Sequence, residues 1–318
     1  METEVTISGL ISSSLEGRWN KYIQELNRCR LEFSEEAVHD VRVATRRLLA
    51  LIDLFTFLYP YVQTRKTLLA LKDQLDSYDD LRDTQVMLLE VNQRVQEIPV
   101  LTPFQKFLVK REKNLLQVAE KNIKTYKLNN LEKRISALQK TVQKAEENPT
   151  IYNNLFQTLD DVYASVLKRF KRIDPNIPPT IHRVRVRFKK FRYMVECVHP
   201  LIPNFPDSNL QKMHDYQTLM GNIQDVEVLL STLNTFAGKK NGRKLSQPIE
   251  YYQVKHTNTI QTYMETKDEL YQFWRLSSAK PFPWEESASP APTTKKPKHS
   301  SKQTEKESEE TSQLTVDA

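Results

Sequence analysis

The stretch Ile181-His-Arg-Val-Arg-Val-Arg-Phe-Lys-Lys-Phe-Arg-Tyr193 carries most of what this chain reveals about its fold. On a helix of about 3.6 residues per turn, positions 181, 184, 188, 191, 195 and 198 fall on one stripe, reading Ile, Val, Phe, Phe, Val and Val. That stripe predicts a buried face. About 100° further round the axis lie His182, Arg185, Lys189 and Arg192, with Glu196 beyond them. The bases therefore line one edge of the core-facing side.

A block of the same design stands 143 residues earlier, Val38-His-Asp-Val-Arg-Val-Ala-Thr-Arg-Arg47. Its inward positions are Val38, Val41, Thr45, Leu48, Ile52 and Phe55, and its basic edge is His39, Arg42 and Arg46. A second pair follows in the same order: Tyr78-Asp-Asp-Leu-Arg-Asp83 matches Met220-Gly-Asn-Ile-Gln-Asp225 at an offset of 142. Self-similarity at a nearly fixed offset predicts a duplicated helical half and a pseudo-twofold arrangement of two bundles. The expected halves run about 10–147 and 150–276 within a domain of residues 1–284.

Working outward, prolines separate segments with apolar residues three and four apart, and no segment alternates with period two. Helices are expected near 12–33, 36–59, 64–79, 81–97, 103–126, 128–147, 151–173, 181–198, 208–236 and 248–275. Breaks are expected at Pro60, Pro99, Pro149, Pro175/Pro178/Pro179 and Pro200/Pro203/Pro206, because an interior proline removes a helix hydrogen bond. Thr102 and Thr180 read as N-caps. With only 5 glycines in 318 residues, a turn-rich β architecture and a nucleotide-cradling glycine loop are both disfavoured. From Glu285 to Ala318 the chain is rich in Ser, Thr, Pro, Lys and Glu, which predicts a disordered tail whose KKPKH run is a solvated linker or a weak anion contact.

The formal charge is +7, and the last 34 residues carry five lysines against seven acids, so the excess sits on the folded part. Such an excess predicts an acidic partner without naming one. Cys29 and Cys197 form neither a disulfide framework nor a zinc spacing and read as reduced core thiols. The N-terminus has acids where a signal peptide needs bases, and the most apolar run, Leu48 to Tyr59, has Asp53 inside it. A cytoplasmic protein without a membrane span is expected.

Arginine offers a planar fork that pairs two oxygens of a phosphate, lysine a compact charge, and histidine a donor whose charge rises below neutral pH. Residues 168–192 hold ten Lys or Arg against the single acid Asp174. Like charges stacked on one helix face repel, so an external polyanion is expected to compensate them.

The pattern resembles the CHAD family, the conserved histidine α-helical domain, through VHDVRVATRR at 38–47, YDDLRD at 78–83, IHRVRVRFKKFRY at 181–193 and MGNIQD at 220–225. The resemblance spans roughly 10–275. It implies an all-α fold of two pseudo-twofold four-helix bundles, a basic groove or pore between them, binding of inorganic polyphosphate and residence at polyphosphate granules. Carried over residue by residue, the binding set is His39, Arg42, Arg46 and Arg47 in the first half and His182, Arg185, Lys189, Lys190 and Arg192 in the second. Asp79 departs from the pattern, which has glycine there; Gly221 keeps it. The resemblance is to a stand-alone member, without the triphosphatase domain that some members carry.

Several residues have plainer readings. The histidines could be hydrogen-bonded interior groups, and Arg47 and Lys190 a solvated flank. Arg183 and Arg187 suit an outer basic rim. Asp83 and Asp225 cannot bind phosphate and are expected to orient a groove arginine or cap a helix. Phe188, Phe191 and Tyr193 could stack bases in a nucleic-acid-binding protein, the alternative function, but their stripe favours packing. His39-Asp40 and His214-Asp215 could suggest a metal-dependent phosphohydrolase, yet the repeat replaces Asp40 by Arg183. No enzyme, metal or cofactor is expected.

Overall fold

The structure, a computed structural model, describes residues 7–59, 63–144, 149–239 and 245–286. The chain runs through α1 (Ile7–Glu32), α2 (Glu35–Leu58), α3 (Arg65–Asp76), α4 (Asp79–Arg94), α5 (Thr102–Thr125), α6 (Asn129–Lys144), α7 (Pro149–Phe170), α8 (Pro179–Val198), α9 (Asn209–Lys239), α10 (Ser246–Thr266) and a short α11 (Pro283–Glu286). Among the described residues there is no strand, and the fold is all-α.

Proline sets several joints. Pro99 opens a 3-10 turn before α5, Pro149 opens α7, Pro179 opens α8, and Pro200 lies in the 3-10 turn that ends it. The expected break at Pro60 lies outside the described residues, as does the expected tail beyond Glu286.

Both stripes are core. On α2, Val38, Val41, Thr45, Leu48, Ile52 and Phe55 are buried; on α8, Ile181, Val184, Phe188, Phe191, Val195 and Val198 are too. α2 packs against α1 and α3 and also against α7 and α8. The main core is accordingly continuous, running from Ile11 on α1 through both central helices to Trp274. A second cluster joins α4 and the start of α5 to the distal part of α9 and Tyr252 of α10, around Val91, Phe104 and Leu233. Apolar burial thus crosses the boundary between the sequence halves at two places, and α2 and α8 are held at fixed distance.

Two expected caps take other roles. Thr102 is already the first residue of α5 and its hydroxyl donates to the Pro99 carbonyl at 2.8 Å. Thr180 is the second residue of α8; its hydroxyl receives the Asp174 amide at 3.0 Å and contacts the Ile177 carbonyl at 2.7 Å, closing the preceding loop. A hydroxyl beside a helix start can bond backward as readily as forward. The one side-chain cap at these central helices is Ser34, which accepts from the Ala37 amide at 3.1 Å.

The helix expected at 248–275 ends at Thr266 and tightens into a 3-10 turn over Lys267–Gln272. Two buried tyrosines explain the change. Tyr216 donates to the Lys267 carbonyl at 2.8 Å and Tyr163 to the Leu270 carbonyl at 2.7 Å, drawing those carbonyls off the α-helical ladder. Cys29 and Cys197 are buried free thiols, and burial pushes them up to about 12 and about 11, as core thiols require.

Candidate anion-binding groove

α2 and α8 lie against each other, and bases of both act on one ammonium. It is that of Lys189 on α8. Its ammonium is depressed to about 7, first by burial and then by Arg46, Arg185 and Arg42. Two of those three arginines are on α2. The ridges from the two sequence blocks therefore converge.

Corresponding positions in the two blocks also have corresponding neighbours. Arg42 bonds the residue at 79, and Arg185 lies beside the residue at 221. His39 feels Arg82, while His182 feels Gln224, the aligned residue. Asp83 feels Arg42, and Asp225 feels Arg185. Both carboxyls are raised above the ordinary aspartate value, first by desolvation, although each remains exposed at the surface. Neither forms an ion pair within 4 Å among the described residues, so their hold on the arginines is through the field rather than through contact.

Both histidines are held below their ordinary value. Burial is the first cause in each, followed by Arg82 for His39 and Arg185 for His182. They are neutral at pH 7, and each can offer one N–H.

The carried-over residues divide by partner. Arg47 pairs with Glu196 at 2.8 Å, Arg192 faces the same carboxylate at 3.7 Å, Lys190 pairs with Asp53 at 2.9 Å, and Arg42 pairs with Asp79 at 2.7 Å. The shortage of acids read from 168–192 is thus eased at Lys190 by Asp53 of α2, which local sequence cannot show. Arg46, Arg185 and Lys189 make no ion pair among the described residues. Arg46 Nε, Arg185 Nε and His182 Nδ1 are buried with no hydrogen-bond partner. Orphaned buried polar atoms are rare, so two guanidinium donors and an imidazole nitrogen without partners, with an ammonium that makes no ion pair, are groups able to take oxygen atoms from outside the chain.

Of the aromatics near these bases, Phe57 of α2 is half-exposed with the Lys190 ammonium 5.9 Å from its ring centre, while those of α8 are packed away. Phe188 and Phe191 are fully buried, and Tyr193 packs beneath the Arg192 guanidinium at 4.4 Å. Arg183 is exposed and Arg187 half-exposed, as an outer rim requires. Local reading missed Glu196 as a clamp on α2 and α8, Asp79 as a counter-ion, and Arg82 as the charge beside His39.

A family model of the CHAD domain matches residues 14–234, well over half of the chain. This chain belongs to the CHAD family. The crystal structure of the CHAD domain from the plant Ricinus communis superposes with a TM-score of 0.61 at 17% identity, covering 86% of this chain and 92% of that one. PptA from Streptomyces chartreusis superposes with a TM-score of 0.59 at 12% identity, covering 83% of this chain and 99% of that one. No curated protein matches by sequence. At such identities the shared feature is the CHAD fold itself, and the groove chemistry has to be read from this chain's own residues.

Proposed function

We propose that this CHAD chain binds inorganic polyphosphate along the groove between α2 and α8, as a binding module rather than an enzyme, and that it serves to target or organise polyphosphate granules in the cytoplasm. The observation that carries the reading is the set of unsatisfied polar atoms: the Arg46 and Arg185 Nε donors and the His182 Nδ1 ring nitrogen, with Lys189 unpaired beside them. A chain of phosphates offers closely spaced oxygens and a negative charge on every unit, which suits donors contributed by two helices.

A nucleic acid would bring the same charge with bases attached. The rings read as candidate stackers, on Phe188, Phe191 and Tyr193, are packed away, and Phe57, half-exposed, faces the Lys190 ammonium at 5.9 Å, a single ring where stacking of successive bases needs several. The histidine–aspartate pairs are otherwise engaged: Asp40 pairs with Arg28 at 2.8 Å, and Asp215 accepts from Gln211 at 2.8 Å. No described helix is long and apolar enough to cross a membrane.

Titration with polyphosphates of graded length at two salt concentrations tests the proposal. Affinity is expected to grow with length until the groove is filled and to fall steeply with salt. Arg46→Ala/Arg185→Ala should weaken binding by more than about tenfold, as the loss of two charge-assisted contacts implies. Tighter binding of an RNA of matched charge would defeat the reading, and magnesium-dependent release of orthophosphate would replace it with an enzymatic one.

A further inference from the structure

Arg42 and Arg185 occupy matching positions in the two blocks but have opposite fates. Arg42 is 4% exposed, donates from Nη1 to the Leu75 carbonyl at 3.1 Å, and donates from Nη2 to Asp79 Oδ1 at 2.7 Å. Arg185 is half-buried and has no such partner; its Nε is orphaned. The residue beside it is Gly221, where even a Cβ would meet only Nε and Nη2, each at 3.7 Å. The aligned position thus holds a carboxylate in one half and no side chain in the other.

We infer that Asp79 is an internal counter-ion occupying the oxygen site of Arg42, which makes the groove asymmetric: a polyanion engages Arg185 and Lys189 directly and reaches Arg42 only by displacing Asp79. A carboxylate and a phosphate present the same kind of oxygen to a guanidinium, so one excludes the other. Displacement is geometrically open, because the Asp79 side chain is 53% exposed while that of Arg42 is 5% exposed. The released carboxylate would turn to water, and the arginine would stay where it is. Short anions therefore gather at the Arg185 end, and occupation of the Arg42 end depends on a chain long enough to be held elsewhere first. Asp79 is in this sense a specificity-determining residue, selecting for length.

The inference rests on the polyphosphate reading, and a pair of opposite substitutions separates the two. Asp79→Asn keeps the side-chain size and removes the charge; it should tighten binding of short polyphosphate about 3–10-fold and steepen the salt dependence by close to one released counterion. Gly221→Asp builds the same counter-ion at Arg185 and should weaken binding by a similar factor. If wild type binds polyphosphate but Asp79→Asn binds it no better, the inference is overturned and the proposed function stands. If wild type shows no binding and Asp79→Asn does, the counter-ion role is upheld; if neither binds, both readings fall. Should Asp79→Asn melt below the assay temperature, Gly221→Asp decides alone, since unchanged affinity there removes the inference.

Discussion

Glu196 on α8 accepts an ion pair from Arg47 on α2 at 2.8 Å while its other oxygen faces Arg192 at 3.7 Å, so one carboxylate ties a base of α2 to a base of α8 and offsets part of their combined charge. Arg18 of α1 stands at the 4.0 Å limit of the same group. With its side chain 18% exposed, Glu196 is screened less than a surface acid. Glu196→Gln is expected to lower stability by roughly 1–2 kcal/mol, between the values for exposed and buried pairs, and to shift the melting temperature by a few degrees. It should also free Arg47 and Arg192 and raise polyphosphate affinity at low salt. A variant less stable and no tighter would place those two bases outside the binding surface.

Lys189 lowers the stability of the fold near neutral pH. Its folded-state value is about 7 against an ordinary 10.5, so between those values the unfolded chain binds more protons than the folded one. Stability contributed through this group therefore rises with pH across that window and is lowest below about 7, where the ammonium is charged among Arg46, Arg185 and Arg42. Lys189→Met, of similar length and without charge, should melt several degrees higher at pH 6, and its advantage should shrink toward pH 10. Thermal melts of both proteins at these two pH values decide it, and a variant that melts lower at pH 6 contradicts the account.

What could be read from local pattern and what could not separates along physical lines. The stripes on α2 and α8 were legible because a period near 3.6 is written in every turn, and the basic edges followed from a fixed angular offset. Their convergence was not legible, since it depends on how α2 packs against α8. Partners of the bases were hidden for the same reason: Asp53, Asp79 and Glu196 reach Lys190, Arg42 and Arg47 across helices. Asp79 stood out as a departure from its repeat, yet nothing in the sequence showed that it touches Arg42. The end of α10 is set by hydroxyls of Tyr163 and Tyr216, far away in the chain, and so left no local mark.

Binding should take up protons near neutral pH. A polyanion beside Lys189 favours the charged ammonium and raises its value above about 7, so affinity is greatest below that pH and declines as pH rises toward the raised value. His39 and His182, both held below the ordinary histidine value, add positive charge to the groove only on the acid side of neutrality. Calorimetry at pH 7.5 in buffers of different ionisation enthalpy should show a fraction of a proton taken up per binding event, with the choice of about pH 7.5 set by the value of Lys189. The uptake should vanish in Lys189→Met; equal uptake in both proteins would assign the proton to another group.

Away from the groove, Asp160 on α7 organises the segment that follows α10. Its Oδ1 accepts from Trp274 Nε1 at 2.8 Å and from Arg275 Nε at 3.0 Å, and its Oδ2 accepts from Arg275 Nη2 at 2.8 Å. Trp274 is fully buried, and the Arg275 guanidinium also lies over the rings of Phe156 and Phe282. Removing the carboxylate strands an indole N–H and a guanidinium together, the arrangement in which losing one partner costs far more than the net value of the pair. Asp160→Ala is expected to cost about 2–4 kcal/mol and to change the emission of Trp274, while Asp160→Asn, which keeps one acceptor for the indole, should cost less. Since this cluster shares no residue with the groove, polyphosphate affinity measured well below the melting temperature should stay within a factor of about 2 of wild type. A large loss of affinity in Asp160→Asn would mean that the α2–α8 spacing depends on this distant anchor.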